Sequence, residues 1–490
     1  MINSHGASLL AVIGALTITP QVASAKKMLA PTPTRPNVIL INIDDLGYGD
    51  PSCNGGTLYQ TPNIDRLAAE GIRCTDGYVS APVSGPSRTG LLTGSYQQRY
   101  GVQWNHDMLG GVIPGLESGR LTLPEEQRQI QSAFKEGGYV TGMAGKIGIM
   151  NPQPFVHIYS VTKWGCSYFP DASGRYSGVD VIQGEPRAES YPDMYWGPER
   201  EGDEYLTDRC SRQCIEFIEE NKDNPFFFYL AYNAPHTPLQ AKAVDKPRVA
   251  HIESEVAQLF AAMVLSVDDG IGQIVDYLDR EGLRENTIIV VLGDNGPANM
   301  AHLVLQPWWP EDQPYHLLGQ RGGLNGFKGN MFEAGFRVPY IISWPGNFES
   351  GMTYTQPVST LDIYPTLCSA AHVRIPSNTI IDGVDLMPYF SGTSDVAPHR
   401  HLFWYANRMG AVRSGQWKFL VEDDTYYLFD LENDRGEQTN VMKENPEVTQ
   451  ELLAAYIEFR NSLPPFLNPF LRPIDIPHPD VIGIPVIDAY

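Results

Sequence analysis

Two acidic pairs in this 490-residue sequence stand where a metal ion could be held. Asp44-Asp45 directly follows the apolar run VILINI, and Asp294-Asn295 directly follows TIIVVL inside the turn GDNGP. In open α/β sheets ligands collect outside the carboxyl ends of strands, so two such pairs can meet at one point. Three carboxylates and one amide oxygen form a hard, all-oxygen set, suited to calcium or magnesium rather than zinc. Each pair alone has a plainer reading, as the cap of the turn or helix after it. A second feature is SGPSRTGLLTG, from Ser84 to Gly94. Pro86 and Ser87 suit the first turn of a helix running through Leu91 and Leu92. Ser84 then lies at the helix N-terminus, where free N–H groups and the dipole favour an anion. Arg88, one turn on, can hold whatever Ser84 becomes, although the spacing fits an ordinary N-cap serine equally well.

Parallel strands would bring these groups together. Val38 to Ile43, Phe226 to Ala231, Thr287 to Leu292 and Tyr340 to Trp344 are apolar without alternation, the pattern of parallel strands buried on both faces. Thr61-Pro62 followed by NIDRLAAEG predicts a helix with an N-cap, a proline at its first position and Gly71 as its stop. Val256 to Leu278 carries apolar residues at helical spacing. Strands alternating with helices predict an α/β fold, a large domain over residues 34–392 with a central, mainly parallel sheet flanked by helices. The character changes over 393–490. AVRSGQWKFLVE and TYYLFDL read as antiparallel strands, Pro446 to Ser462 as a helix, and a proline-rich tail begins at Pro464. This predicts a smaller α+β C-terminal domain with an antiparallel sheet.

SGPSRTGLLTG resembles the signature of the formylglycine-dependent sulfatases, in which [C/S]-x-P-S-R is followed by L-x-T-G. NIDDLGYGD, TPNIDRLAAEG, NAPHTPLQ, GLRENTIIVVLGDNG and GFKGNMFEAGFRVP are similar to segments of that family, in its order. AVRSGQWKFL and YYLFDLENDRGEQTN resemble its C-terminal domain, so the likeness spans nearly the whole chain. It implies an arylsulfatase-like, serine-type bacterial carbohydrate sulfatase of the alkaline phosphatase superfamily. Carried over residue by residue, it implies that Asp44, Asp45, Asp294 and Asn295 hold Ca2+ and that Ser84 is oxidised to formylglycine (3-oxoalanine). Arg88 then orients residue 84, while Lys146, His236 and Lys328 contact sulfate or give the proton to the leaving oxygen. Taken alone, each of those three is an ordinary strand-end lysine, loop histidine or surface lysine. The resemblance further implies a serine-type sulfatase-maturing enzyme as a partner and a sulfated carbohydrate, a short oligosaccharide, as substrate. Trp104, Asn105, His106 and Asp107, just after the signature, are candidates for sugar contact, as are Trp308 and Trp309.

The sequence departs from the family at Gly145-Lys146-Ile147-Gly148, where relatives carry G-K-x-H and use the histidine to take the hydrate proton. His157 and His106 are the candidates to replace it; the alternative is a slower step on water. The same residues allow two other readings. One is a phosphatase or phosphodiesterase using unmodified Ser84, against which Asn295 stands where a zinc-binding histidine is expected. The other is a catalytically impaired protein that binds sulfated glycans, for which the missing histidine argues.

Composition narrows the field. A net charge of −22 argues against a nucleic-acid partner and requires a local basic pocket for any anionic substrate. Leu9 to Ile18 is apolar but shorter than the ~20 residues of a spanning helix, so no stable membrane insertion is expected. Ala23-Ser24-Ala25, just after it, reads as the cleavage site of a signal peptide over residues 1–25, which predicts a periplasmic or secreted protein, although no basic residue precedes Lys26. Six scattered cysteines fit buried thiols, with one pairing, Cys53 to Cys74, open.

Overall fold

The computed structural model describes residues 35–105, 123–147, 155–162, 166–170, 175–176, 194–198, 202–299, 317–406, 408–422 and 425–464. His106, Asp107, Gly148, Trp308, Trp309 and the expected signal peptide lie outside them. Its centre is an eight-stranded sheet made of β1 (Asn37–Ile43), β2 (Ile72–Cys74), β3 (Val140–Lys146), β4 (His157–Thr162), β5 (Phe226–Tyr232), β6 (Thr287–Gly293), β7 (Tyr340–Ser343) and β8 (Met352–Tyr354). The order across the sheet is β8-β2-β7-β6-β1-β5-β3-β4. Strands β6, β1, β5, β3 and β4 are mutually parallel.

The unbroken apolar runs result from burial on both faces. Along β1, Ile39, Ile41 and Ile43 enter one hydrophobic layer, while Val38 and Leu40 enter the other. Phe226, Phe228 and Leu230 of β5 join the first layer, and Phe227, Tyr229 and Ala231 the second. Each buried Val, Ile, Leu or Phe among them contributes roughly 1.5–3 kcal/mol of transfer free energy. The first layer also takes apolar faces of α1 (Pro62–Glu70), α3 (Leu206–Asn221) and α4 (Glu255–Arg280); the second takes Leu91 and Leu92 of α2 (Ser84–Thr93).

Two expectations need correction. The Tyr340 run is not parallel: β7 pairs antiparallel with both β6 and β2. The chain leaves β6 at its carboxyl end and re-enters the sheet there, with Gly293 N–H donating to Pro339 O at 3.2 Å, so the strand must run back. Cys53 and Cys74 are not bridged; all six cysteines are free thiols.

The C-terminal part is a four-stranded antiparallel meander, β9 (Leu402–Ala406), β10 (Met409–Ser414), β11 (Trp417–Glu422) and β12 (Thr425–Asp430). One face packs Val412, Phe419, Val421 and Leu428 against Leu452, Leu453 and Tyr456 of a helix, Pro446–Ser462. The other lays Trp404, Ala411, Leu420 and Phe429 onto Tyr78, Phe336 and Val338 of the large domain. There the Phe336 and Trp404 rings stack with centroids 4.2 Å apart.

Candidate active site

Adjacent parallel strands end level with one another, Ile43 opposite both Tyr232 and Gly293, and the next residues of each carry chemistry. Strand β1 delivers Asp44 and Asp45, β6 delivers Asp294 and Asn295, β5 leads through Asn233 to His236, and β3 closes on Lys146. Two backbone devices aim these groups. Asp45 has φ 64°, a left-handed conformation that short polar side chains tolerate, and its N–H donates to Asp294 Oδ1 at 3.0 Å. Gly145 has φ 96°, and a Cβ there would lie 1.9 Å from Ala231 O, so only a glycine lets β3 pass this close to β5 on its way to Lys146.

Ser84 is the first helical residue of α2, with Val83 as N-cap, so its hydroxyl is not used to cap the helix. It donates instead towards Asp44 Oδ1 (3.0 Å) and Asn295 Oδ1 (2.9 Å). Asn295 Nδ2 donates to Asp45 Oδ1 at 2.7 Å. Four oxygen-bearing side chains therefore crowd one point, and all are at most 3% exposed. Three cations hold their charge. Arg88 Nε and Nη2 reach Asp294 Oδ2 at 3.0 and 2.9 Å, Lys146 donates to Asp44 Oδ2, and Lys328 Nζ donates to Asp45 Oδ1 at 2.6 Å. Burial alone would raise the Asp44 and Asp45 carboxyls. Lys146 for the first and Lys328 for the second, each joined by His236, overcome it and leave both well ionised. Burial likewise opposes the charge on Arg88 and Lys328, and Asp294 and Asp45 respectively outweigh it.

The ring of His236 completes the cluster, with Nε2 3.9 Å from Asp45 Oδ2. Its Nδ1 lies 2.7 Å from Thr237 O, which can only accept, so Nδ1 carries the hydrogen and Nε2 is the atom left facing the carboxylates. Burial pushes this imidazole down, helped by Lys328 and Lys146 against the pull of the two aspartates. Among the described residues, one group of potential metal ligands is found, Asp44, Asp45 and His236, with ligand atoms within 4.8 Å of one another. The donor set is oxygen-rich and, beside Ser84, fits a hard divalent cation.

Asn105 Oδ1 accepts the Gly85 N–H at 2.9 Å, so its carbonyl serves the start of α2, and Trp104 packs partly buried against the hydrophobic cluster between the large domain and the C-terminal sheet. His157 does not approach the cluster. It pairs with Gly142, four residues before Lys146 on β3, roughly 13 Å back along a strand, and its ring edges onto Phe217. Two contributors escape a reading of the sequence. Tyr229 OH accepts from Arg88 Nη1 and from Asn42 Nδ2, both at 3.2 Å. Asn42 is the one polar residue in VILINI and Tyr229 one of two tyrosines in FFFYLAY, and that is their only signal. A second pair, Thr162 and Asn233, exchanges hydrogen bonds of 2.9 and 2.7 Å while Thr162 O accepts from Ile147 N, tying the Lys146 strand end to the His236 turn.

Comparison with known proteins adds the family. Residues 36–373 match the family model described as Sulfatase, and residues 326–461 match that of N-sulphoglucosamine sulphohydrolase, C-terminal. Arylsulfatase A of Homo sapiens is 30% identical, with 86% of each chain covered. The N-acetylgalactosamine-6-O-sulfatase of Bacteroides thetaiotaomicron is 28% identical, covering 85% of this chain and 92% of its own. The crystal structure of Ps i-CgsB in complex with k-i-k-neocarrahexaose matches with a TM-score of 0.71 at 31% identity, over 87% of this chain and 92% of that one.

Proposed function

The chain belongs to the sulfatase family and is a sulfuric ester hydrolase, and on that premise we propose that it desulfates a short sulfated oligosaccharide through a formylglycine made from Ser84. The observation that carries this reading is the Ser84 hydroxyl, placed at a helix start and within 3.0 Å of both Asp44 and Asn295. Asp44, Asp45, Asp294 and Asn295 would hold a calcium ion, which supplies charge to acidify a hydroxyl at residue 84 and to balance a sulfuryl group. An aldehyde hydrate has two hydroxyls on one carbon, one to attack sulfur and one whose deprotonation expels sulfate; serine has only the first.

The chain's own cations do the rest. Arg88, fixed by Asp294 and Tyr229, stays beside residue 84 as its orienting group. Lys146 and Lys328 neutralise Asp44 and Asp45 in this structure. With those carboxylates engaged by a divalent cation, both lysines are released to meet sulfuryl oxygens, which gives an acidic protein the local basic pocket an anion requires. His236 presents Nε2 for proton exchange with the leaving oxygen, close to Lys328. The sugar class is drawn from relatives whose names specify N-acetylgalactosamine 6-sulfate and from a neighbour bound to a neocarrahexaose. Export to the periplasm or beyond belongs to the same reading and is checked by N-terminal sequencing of the mature protein.

The test is co-production with a serine-type maturing enzyme. Mass spectrometry of the Ser84 peptide should show a loss of about two mass units, and the converted protein should release sulfate from position-defined sulfated oligosaccharides. An unchanged peptide from an active enzyme would sink the formylglycine mechanism. A converted enzyme that hydrolyses phosphodiesters but no sulfate ester would sink the substrate.

A further inference from the structure

Lys328 sits at the tip of a loop whose closure is long-range. Its own N–H donates to Pro297 O, two residues after Asn295, and Gly329 N–H donates to Pro82 O, two residues before Ser84, both at 2.9 Å. The loop is closed below by Ala334 N–H donating to Asn325 O at 2.7 Å. Ala334 lies in the short helix Glu333–Phe336, which presses directly on the metal-site turn. Gly296 N–H donates to Gly335 O at 3.1 Å, and a Cβ on Gly296 would fall 1.6 Å from Ala334 O. The placement of this helix therefore decides where Lys328 stands relative to Ser84 and Asn295.

What places the helix comes from the C-terminal subdomain. Glu437 Oε2 accepts the Glu333 N–H at 2.7 Å, and its Oε1 accepts Lys418 Nζ at 2.6 Å. Lys418 Nζ also lies 3.1 Å from Glu333 Oε1, while Glu333 Oε2 takes Tyr78 OH and Arg337 Nη1 at 2.8 and 3.0 Å. Arg337 and Arg413 both reach Asp76. Glu333, Lys418 and Glu437 are at most 1% exposed. Glu437 also adopts φ 54°, a left-handed backbone that a glutamate rarely takes without being held there.

We propose that Glu437 is a positioning residue for Lys328, through which the C-terminal subdomain sets the geometry of the active site. Glu437 fixes the first N–H of the Glu333 helix, the helix fixes the Asn325 closure and the Gly296 turn, and the closure fixes the lysine. The proposal rests on Lys328 being a substrate-facing group, so its first test avoids turnover altogether. In unconverted protein, the rate of Lys328 acetylation by acetic anhydride is measured peptide by peptide. Glu437→Gln keeps an oxygen for the Glu333 N–H but puts an amide NH2 where Oε1 accepts from Lys418 Nζ. It should change the Lys328 rate severalfold and leave other exposed lysines unaltered.

The second test uses converted enzyme. Glu437→Gln should lower kcat about tenfold with KM nearly unchanged, and in a Lys328→Ala background it should cost nothing more. Glu437→Asp, whose side chain suits the left-handed backbone, should recover part of the loss and serves as the variant if the glutamine form does not fold. Equal losses in both backgrounds, or an unchanged Lys328 labelling rate in a folded variant, would overturn the proposal. A wild type that labels as expected yet hydrolyses no sulfate ester would refute the enzymatic reading instead.

Discussion

Two buried clusters in this molecule hold the same charges. At the strand ends, Asp44, Asp45 and Asp294 face Arg88, Lys146 and Lys328; beneath the C-terminal sheet, Asp76, Glu333 and Glu437 face Arg337, Arg413 and Lys418. In the second, signs alternate: Lys418 bridges two glutamates and Arg337 bridges Glu333 and Asp76. In the first, acidic groups crowd one another, with an aspartate carboxylate accepting its neighbour's N–H and Ser84 wedged between two oxygens. The first cluster also meets solvent, through Lys328 at 18% and His236 at 26% side-chain exposure, whereas Lys418 and Glu333 are at 0%. Equal charge counts thus serve opposite ends. The alternating cluster satisfies its own charges, and the crowded one packs carboxylates together in the way a divalent cation would relieve.

The sharpest way to break the comparison is Ser84→Ala. Activity of the co-matured enzyme should fall by about a thousandfold or more while the melting temperature hardly moves. Lys418→Ala should do the reverse, with stability from denaturant titration down by roughly 3–5 kcal/mol because two buried carboxylates lose their shared partner. If Lys328→Ala costs as much stability as Lys418→Ala, the distinction between the clusters is wrong. Calcium at a hundred times its dissociation constant should stabilise the wild type by about 2.7 kcal/mol, and Asp294→Asn should abolish that thermal shift. A full shift in the variant would remove Asp294 from the metal site.

The last effect is the alternating cluster's share of a pH dependence that Asp50 and Asp268, raised by burial to about 7 and about 6, also join. Burial, with repulsion from Glu333, pushes Glu437 up to about 7 against the pull of Lys418. A raised carboxyl favours the folded state fully below its unfolded value near 4.5, and that stability is lost as pH rises through 7. Glu333, pulled down to about 2 by Lys418 and Arg337 despite burial, acts oppositely and only as pH falls below 4.5. Glu437's share of the drop in stability between pH 4.5 and 7 should therefore be at most about 3 kcal/mol, and Glu437→Gln should lessen the slope by that share. An unchanged slope in that variant would reassign the titration to another group.

The two clusters also differ in how far the sequence discloses them. Asp44, Asp294, Lys146 and His236 stand at or just beyond strand ends, and a parallel sheet brings strand ends together, so the apolar runs and the polar residues next to them are enough. Lys418 cannot be found that way. It lies within WKFLVE, where an alternating strand gives a lysine every appearance of a solvent-facing position, yet its ammonium is buried against Phe336 and the two glutamates. Only the docking of one subdomain on another buries it, and docking leaves no local pattern. The reversed direction of β7 is hidden for a related reason. An apolar run reports burial on both faces but not orientation, which the connection from β6 decides. His157 misleads because a histidine near a strand says nothing about which end of the sheet it occupies.

The whole of α2 is buried, and Ser84 itself is only 2% exposed. Under the oxidation proposed for residue 84, the maturing enzyme has to reach a side chain that the native fold keeps from solvent. On that proposal conversion comes before the sheet closes over the helix, which puts oxidation ahead of folding. Folded, unconverted protein given the maturing enzyme should keep its serine, while a peptide spanning Ser84 to Gly94 should be oxidised. Conversion of the folded form at the peptide's rate would show that the fold opens at this helix.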